Sequence, residues 1–305
     1  MSRPVNTIRP AAIDGVGPST VRVPQDAAGG LLDFLDRRFP DVGRAVWLAR
    51  MQAGRVRDAQ DRPLASDAAA PAGSLVHYFR EWPDEPRIPF DAEILFRDAH
   101  LLVADKPHFL PTIPSGRFVR ETLLVRLKQE TGIEALTPLH RLDRETAGLV
   151  LFSVNPATRG FYTALFADRR IEKTYEALAP LRDDVAWPLT HRSRLEAAEP
   201  FFRMREVPGE PNSETRIALL ETIRTGNDGE SIGRYRLSPL TGRKHQLRVH
   251  MAALGLPILN DRWYPALVDD TVDDWTQPLK LLARQLRFVD PLTGDERVFD
   301  SRRSL

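Results

Sequence analysis

The chain has 305 residues, no cysteine and a net charge of +1, with 43 basic and 42 acidic side chains. It is long enough for one large domain and a smaller one. Disulfides and thiolate metal sites are excluded, and no segment has the ~20 apolar residues of a membrane helix or the apolar core of a secretory signal. We therefore expect a cytoplasmic protein without a membrane partner, in which any nucleic-acid site depends on how the charges are distributed, because their sum gives no excess.

The amino-terminal segment, residues 1–29, is rich in proline and glycine and predicts an irregular arm with room for one short strand at 21–23. Residues 30–85 predict a small α+β module. Its elements are a helix from Leu31 to about Phe39, a second helix at 46–51, and short strands at 54–57 and 73–79. The order of these elements, with Gly-Arg-Val near the middle, resembles the S-four-like RNA-binding module. Residues 1–85 carry 11 basic and 11 acidic side chains, which suits a purely structural cap almost equally well.

A proline-rich joint at 83–89 predicts the boundary with a second unit, residues 90–305. Apolar runs of strand length occur there in unequal groups between fewer helical segments, a pattern typical of an α+β domain. The predicted strands cover 92–96, 101–104, 149–154, 174–177, 215–222 and 233–237, and a strand pair with a turn covers 281–294. The predicted helices cover 122–131, 156–168 and 244–254.

The most informative segment reads His-Arg-Leu-Asp-Arg-Glu-Thr-Ala-Gly-Leu-Val-Leu-Phe and runs from His140 to Phe152. It places one carboxylate, Asp143, on a loop that enters a buried strand, which is where catalytic groups are often found. Arg141 and Arg144 are expected to favour its ionised form, and this suits a nucleophile. Taken alone, an aspartate between arginines is more often a solvated salt-bridge cluster.

This string resembles the sequence around the catalytic aspartate of the RluA-type RNA pseudouridine synthases. The resemblance implies a pseudouridine-synthase fold, with a central mixed, mostly antiparallel sheet flanked by helices. It also implies isomerisation of uridine to pseudouridine in ribosomal or transfer RNA, without a metal or other cofactor. Asp143 would either attack the sugar carbon or abstract a sugar proton. Arg141 would fill the space left by the flipped nucleotide, or serve only as a surface cation.

Two further strings follow the order of the family. In Asp105-Lys106-Pro107 and the residues after it, Phe109 stands where the family usually has glycine, which puts the conformation of this loop in question because phenylalanine adopts positive φ less readily. In Lys173-Thr174-Tyr175, the resemblance implies that the tyrosine ring stacks on the target base, although a strand tyrosine also serves packing.

The string Leu-Thr-Gly-Arg-Lys-His-Gln-Leu-Arg-Val-His-Met at 240–251 matches the family almost without change. It implies that Arg248 is the counter-charge of Asp143, because a buried carboxylate needs a partner. Together the strings predict RNA-contacting or base-flipping roles for His140, Arg141, Lys173, Arg243, Lys244, His245 and Gln246.

His245 and His250 are five residues apart, which does not place two ligands on one helical face, so we predict no metal site. The acidic run at Asp269, Asp270, Asp273 and Asp274 is expected to be solvated and to repel phosphate. Two other functions stay open, a non-catalytic RNA-binding protein and an N-glycosidase acting on a nucleoside. We expect RNA to be the partner and the protein to be a monomer.

Overall fold

The computed structural model describes residues 10–13, 15–25, 29–81, 85–224, 231–268 and 273–305. They form two compact units. The first comprises residues 1–86 with 114–120 and 125–134, and the second comprises the rest of the chain. The division at residue 86 falls inside the proline-rich joint. The two later segments that group with the first unit carry no signal in the sequence that would assign them there. Most of the predicted amino-terminal arm lies outside the described residues.

The first unit contains two helices and a small antiparallel sheet. The helices are α1 (Leu31–Arg38) and α2 (Arg44–Gln52), and the strands are β1 (Ser19–Arg22), β2 (Val56–Arg57) and β3 (Leu75–Tyr78), in the spatial order β1-β3-β2. Their apolar faces share one core around Leu31, Leu35 and Trp47. Both predicted helices form, and the first strand begins two residues before its predicted position.

The described part of the second unit is built on one eleven-stranded sheet. Its strands are β4 (Glu93–Arg97), β5 (Leu101–Lys106), β6 (Thr137–Pro138), β7 (Ala147–Ser153), β8 (Glu172–Pro180), β9 (Leu189–Ala197), β10 (Met204–Val207), β11 (Ser213–Arg224), β12 (Ser231–Pro239), β13 (Leu281–Val289) and β14 (Glu296–Asp300). The spatial order is β10-β9-β11-β12-β8-β13-β7-β5-β4, with β14 beside β13 and β6 beside β7. The pair β13–β7 is parallel and the other pairs are antiparallel, so the predicted mixed, mostly antiparallel sheet is confirmed.

The described residues after β5 contain three helices: α3 (Leu123–Thr131), α4 (Arg159–Ala167) and α5 (Gln246–Ala253). Apolar residues of α4 pack on β5 and β7 in one core, and Leu247 and Met251 of α5 pack on β8 and β12 in another. Each helix lies within three residues of its predicted bounds. None of the described helices has the length and apolar character needed to span a membrane.

The start of β7 is fixed by a close approach to β13. Gly148 has φ 111°, and a Cβ atom at this position would lie 2.3 Å from the carbonyl oxygen of Ala283, so only glycine fits. Ala283 in turn pairs with Tyr175 of β8. The loop that precedes β7 is therefore held close to Lys173-Thr174-Tyr175 at the start of β8.

Candidate active site

The loop before β7, the start of β8 and the start of α5 meet at one cavity of about 1090 Å³ in the second unit. This convergence brings distant family strings together. The lining includes nine of the predicted residues: His140, Arg141, Asp143, Lys173, Tyr175, Arg243, His245, Gln246 and Arg248. Lys244, also predicted, is exposed but does not line the cavity.

Asp143 lies on a turn closed by a hydrogen bond from the Thr146 N–H to the Asp143 carbonyl, 3.2 Å long. Its carboxylate is 28% exposed; one oxygen lies 3.7 Å from Nη1 of Arg248 and the other 3.8 Å from Nε2 of His245. Burial raises the pKa of Asp143 above its ordinary value, although the charges of Arg248 and Lys106 act in the opposite direction. Arg141 favours the ionised form, as predicted for the flanking arginines, and Arg144 is not among the groups that shift this pKa; burial outweighs Arg141, so the net shift of the pKa is upward.

Arg144 does not face Asp143. Its guanidinium forms an ion pair with Asp273 and a longer one, 3.3 Å, with Glu145. The side chain of Asp273 is 22% exposed, so the prediction of a solvated acidic run is wrong at this position. Asp269 and Asp270 lie outside the described residues.

Arg248 is held by a carboxylate that the sequence analysis did not assign to it. Nε and Nη2 donate to Asp261 over 2.8 and 2.6 Å, and the buried guanidinium is 1% exposed. The hydrogen-bonded counter-charge is therefore Asp261, and the predicted pairing of Arg248 with Asp143 is present as a longer ion pair of 3.7 Å without a hydrogen bond. Asp261 leaves Nη1 without a hydrogen-bond partner among the described residues, at 3.7 Å from both Asp143 and Glu145. A donor fixed in this way is aimed at the carboxylate without forming a hydrogen bond to it.

Tyr175 and His245 flank the carboxylate as uncharged groups. Tyr175 is half-buried and packs against the core beneath α5; burial and the charge of Asp143 raise the pKa of its hydroxyl above the ordinary value. His245 has a left-handed backbone with φ 52°, and its Nδ1 lies 2.8 Å from the hydroxyl of Tyr264. Burial lowers the pKa of His245 to about 3, so its ring is neutral near pH 7.

His140 connects the loop that carries Asp143 to β7. Its Nε2 accepts a 3.0 Å hydrogen bond from the Leu151 N–H, and its ring stacks on Phe166 with centroids 4.8 Å apart. Burial lowers the pKa of His140 to about 3. These contacts give His140 a structural role, and because the half-buried residue also lines the cavity, its RNA contact stays a prediction.

Lys106 joins the loop after β5 to the loop that carries Asp143. Its buried Nζ donates to the carbonyls of Pro107, Leu110 and Arg144 over 2.9, 2.8 and 3.0 Å. Burial lowers the pKa of Lys106 to about 7. Phe109 takes φ 64°, so the loop keeps the left-handed conformation that glycine would adopt more easily.

Gln246 uses its whole side-chain amide to join α5 to β11. Its Oε1 accepts from the Thr241 hydroxyl and the Arg243 N–H over 2.7 and 3.0 Å. Its Nε2 donates to the Glu214 carbonyl and the Thr215 hydroxyl over 3.0 and 2.9 Å. This geometry gives Gln246 a structural role and leaves no amide atom for the predicted RNA contact.

We expect Gln246→Ala to lower the free energy of unfolding by about 3 kcal/mol, because it leaves several buried groups without partners. Urea denaturation measures the change. The control is Gln285→Ala, which removes one exposed hydrogen bond to Asp300 and should cost less than about 0.5 kcal/mol. Equal decreases in the free energy of unfolding would show that the buried Gln246 amide stabilises the fold no more than the exposed Gln285 amide does.

The structure also gathers His191, Glu206 and His250, whose potential ligand atoms lie within 4.8 Å of one another. Glu206 already bonds to His191 over 2.7 Å. In His250, Nδ1 lies 2.9 Å from the Thr215 hydroxyl and Nε2 lies 2.9 Å from the Ser213 hydroxyl. Both ring nitrogens of His250 are thus engaged by the protein, and these bonds fix α5 to the sheet.

The cavity is basic although the chain as a whole is almost neutral. Seven arginine or lysine side chains line it against two carboxylates, Asp143 and Glu172. Three of the cations, Arg169, Arg216 and Arg236, belong to no family string and were missed from the sequence. In a chain with so many arginines, no feature of these positions distinguishes them until the strands are placed side by side.

Comparisons with known proteins agree with this geometry. Residues 100–253 match a family profile described as RNA pseudouridylate synthase. The chain is 30% identical over 238 residues to an uncharacterized RNA pseudouridine synthase of Synechocystis sp., covering 77% of this chain and 79% of the relative. It is 31% identical over 218 residues to the dual-specificity RNA pseudouridine synthase RluA of Pasteurella multocida, covering 67% of this chain and 89% of the relative.

Among solved structures, the human RNA pseudouridylate synthase domain containing 1 superposes with a TM-score of 0.58 at 25% identity. The superposition covers 72% of this chain and 86% of the human one.

Proposed function

The chain belongs to the RNA pseudouridine synthase family and isomerises uridine to pseudouridine in RNA, and we propose that the cavity around Asp143 is where this reaction takes place. The observation that carries the proposal is the position of Asp143, partly exposed at 3.7 Å from the fixed guanidinium of Arg248 inside a basic cavity. A carboxylate so placed reaches a flipped nucleotide, whereas one in a surface salt bridge does not.

Asp143 is the reacting group in this proposal. The bond from N1 of uracil to the sugar breaks, the ring turns while it is held, and carbon five forms a bond to the same sugar carbon. Carbon five then loses its proton to solvent and N1 gains one, so the product is an isomer of the substrate. Asp143 serves either by attacking that sugar carbon or by removing a sugar proton. Arg248, held by Asp261, stabilises the charge of Asp143 in both versions, and its position costs no rearrangement during the reaction.

Tyr175 is proposed to hold the uracil ring. Its half-buried side chain lines the cavity, and its raised pKa keeps the hydroxyl protonated beside Asp143. An aromatic face is the usual platform for a base removed from its stack.

Arg141 is proposed as the wedge that replaces the flipped nucleotide. It is exposed, lines the cavity two residues before Asp143, and forms no ion pair with any carboxylate that the structure describes. Lys173 and Arg243 line the same cavity, and Lys244 is exposed beside it. These three are proposed to bind phosphate near the target nucleotide.

The target is proposed to be ribosomal or transfer RNA in the cytoplasm, modified by a monomer, with residues 30–85 as an additional RNA-binding module. A relative named as a dual-specificity RNA pseudouridine synthase supports a search for more than one RNA target. The test is incubation with unmodified transcripts of ribosomal and transfer RNA, followed by mapping of the pseudouridines. Modification of one or a few uridines in either class is expected, and a protein that modifies neither class contradicts the proposed target.

The pH dependence should show that Asp143 must be ionised. Because burial raises its pKa, the ionised fraction is complete only above that raised value and falls as the pH falls through it. We expect kcat/KM to fall about tenfold per pH unit on an acid limb that lies above the ordinary pKa of an aspartate. His245 and His140, with pKa values of about 3, stay neutral and do not contribute to this limb. Tritium release between pH 4 and 8, with circular dichroism to check folding, measures it; a profile that stays flat to pH 4 contradicts the role.

A further inference from the structure

Three arginines that belong to none of the family strings line the cavity. Arg169 follows α4, Arg216 lies on β11 and Arg236 on β12; all three are exposed. None forms an ion pair or a side-chain hydrogen bond with a residue of the described ranges 85–224, 231–268 and 273–305. We call these three residues the arginine strip.

Four other arginines of the same sheet, which do not line the cavity, form ion pairs with glutamates. The pairs are Arg192–Glu214, Arg194–Glu196, Arg234–Glu221 and Arg287–Glu296, at 3.0, 2.8, 2.9 and 3.2 Å. Glu214 is the carboxylate that interacts with two members of the strip, and its pKa is lowered first by the hydrogen bond from Arg192 and then by the charges of Arg216 and Arg169. One carboxylate therefore faces three cations, and the strip keeps a surplus of positive charge.

Arg169 occupies a position that suits glycine. Its φ is 57°, and the turn that ends α4 is closed by hydrogen bonds from its N–H to Phe166 and from the Arg170 N–H to Leu165, 3.3 and 2.8 Å long. Glycine is the usual residue in such a turn because a Cβ atom is unfavourable there. An unfavourable residue that sends a cation into a cavity is the kind of local strain that occurs at functional sites.

The two strand arginines are neighbours on one face of the sheet. Arg216 pairs with Ser238, and Ala218 pairs with Arg236, so the two arginines lie diagonally across adjacent strands. Diagonal neighbours are about 7 Å apart, which lets two long side chains bind neighbouring anionic groups of one chain.

We propose that the arginine strip binds phosphates of the RNA strand that flanks the target uridine, an inference that rests on the proposed function. Arginine binds phosphate through two parallel hydrogen bonds from its planar guanidinium. Contacts to phosphate carry no base sequence, so the strip supplies affinity and register, whereas the pocket around Asp143 and Tyr175 selects the uridine.

A matched pair of variants tests this proposal. The strip variant is Arg169→Ala, Arg216→Ala and Arg236→Ala combined. The control combines Arg170→Ala, Arg194→Ala and Arg287→Ala, which removes the same charge from solvent-accessible, paired arginines outside the cavity lining. The probe is a fluorescein-labelled single-stranded RNA of 20 nucleotides, titrated at several KCl concentrations.

We expect the strip variant to bind the probe at least about tenfold more weakly at 100 mM KCl, with the control within about threefold of wild type. The slope of log affinity against log salt should fall by about 0.7 for each phosphate that the protein no longer neutralises, hence by about 2 for the strip variant. Equally weakened binding by the two variants would mean that only overall charge matters, and this would overturn the inference.

Tritium release from RNA labelled at carbon five of uridine separates the two proposals. With RNA at saturation, the strip variant should keep the wild-type kcat and show a raised KM. A wild-type protein that releases no tritium overturns the proposed function. If the wild-type protein releases tritium but the strip variant binds RNA and turns over like the control, the proposed function stands and only the proposed role of the arginine strip is overturned.

Arg169→Gly gives an independent check in which folding is improved. Glycine relieves the left-handed backbone, so the Tm should rise by about 2 °C while the affinity for the probe falls severalfold. Unchanged affinity of this variant for the probe would show that Arg169 does not bind phosphate.

Discussion

Replacing Asp143 with asparagine is expected to abolish pseudouridine formation, by a factor of about 10⁴ or more, while RNA binding stays within about twofold of wild type. Asparagine has nearly the same shape but is neither a nucleophile nor a base. The nearest cationic and imidazole groups lie 3.7 and 3.8 Å from the carboxylate, so the substitution breaks no short hydrogen bond to them. Burial disfavours the charge of Asp143, and its removal should therefore leave stability unchanged or slightly raised.

The measurement is tritium release from RNA labelled at carbon five of uridine, with fluorescence anisotropy for binding. Asp184→Asn is the control, because Asp184 is exposed, pairs with Arg182 and does not line the cavity. It should release tritium at the wild-type rate. Undiminished release by Asp143→Asn would remove Asp143 from the reaction.

Removing Asp261 should have the largest effect on folding. Asp261→Ala leaves the guanidinium of Arg248, 1% exposed, with only two carboxylates at 3.7 Å. Breaking a buried pair from one side costs about 3–5 kcal/mol, since the buried guanidinium loses both of its hydrogen bonds to Asp261. Urea denaturation should show a decrease of this size in the free energy of unfolding, accompanied by loss of activity.

A double variant separates the contribution of this pair to folding from its contribution to catalysis. Asp261→Leu with Arg248→Met replaces the buried pair by apolar groups and should recover most of the stability, because a buried pair is often no more stable than an apolar one. Activity should not return, since Arg248 no longer faces Asp143. An active double variant would contradict the proposed role of Arg248.

The sequence predicted the elements that carry strong local patterns. The runs that became β5 and β7 are apolar for most of their length, and both strands are fully buried in the sheet. Strand β9, at 189–197, was missed because the apolar face of its sequence, Leu-Thr-His-Arg-Ser-Arg-Leu-Glu-Ala, is interrupted by His191 and Ser193 and the strand lies near the edge of the sheet. Its pairing with β11 depends on tertiary context, which no local pattern contains.

The positions of the site residues were predicted more accurately than their partners. Asp143, Tyr175 and Arg248 meet in one cavity as the family strings imply. The partner of Arg248 could not be read from spacing, because two carboxylates lie 13 residues after and 105 residues before it and only the fold shows that Asp261 makes the hydrogen bonds. For the same reason, the burial that raises the pKa of Asp143 was not visible beside two arginines in sequence.

The central claim, that this cavity isomerises uridine within RNA, is tested most directly by nucleoside analysis of an unmodified RNA transcript after incubation with the wild-type protein. The RNA is digested to nucleosides and separated by liquid chromatography with mass detection. We predict a new peak of pseudouridine, with the mass of uridine and a different retention time, that is absent with Asp143→Asn. Free uracil in place of pseudouridine would indicate an N-glycosidase, and an unchanged nucleoside profile would indicate a protein that only binds RNA; either result contradicts the claim.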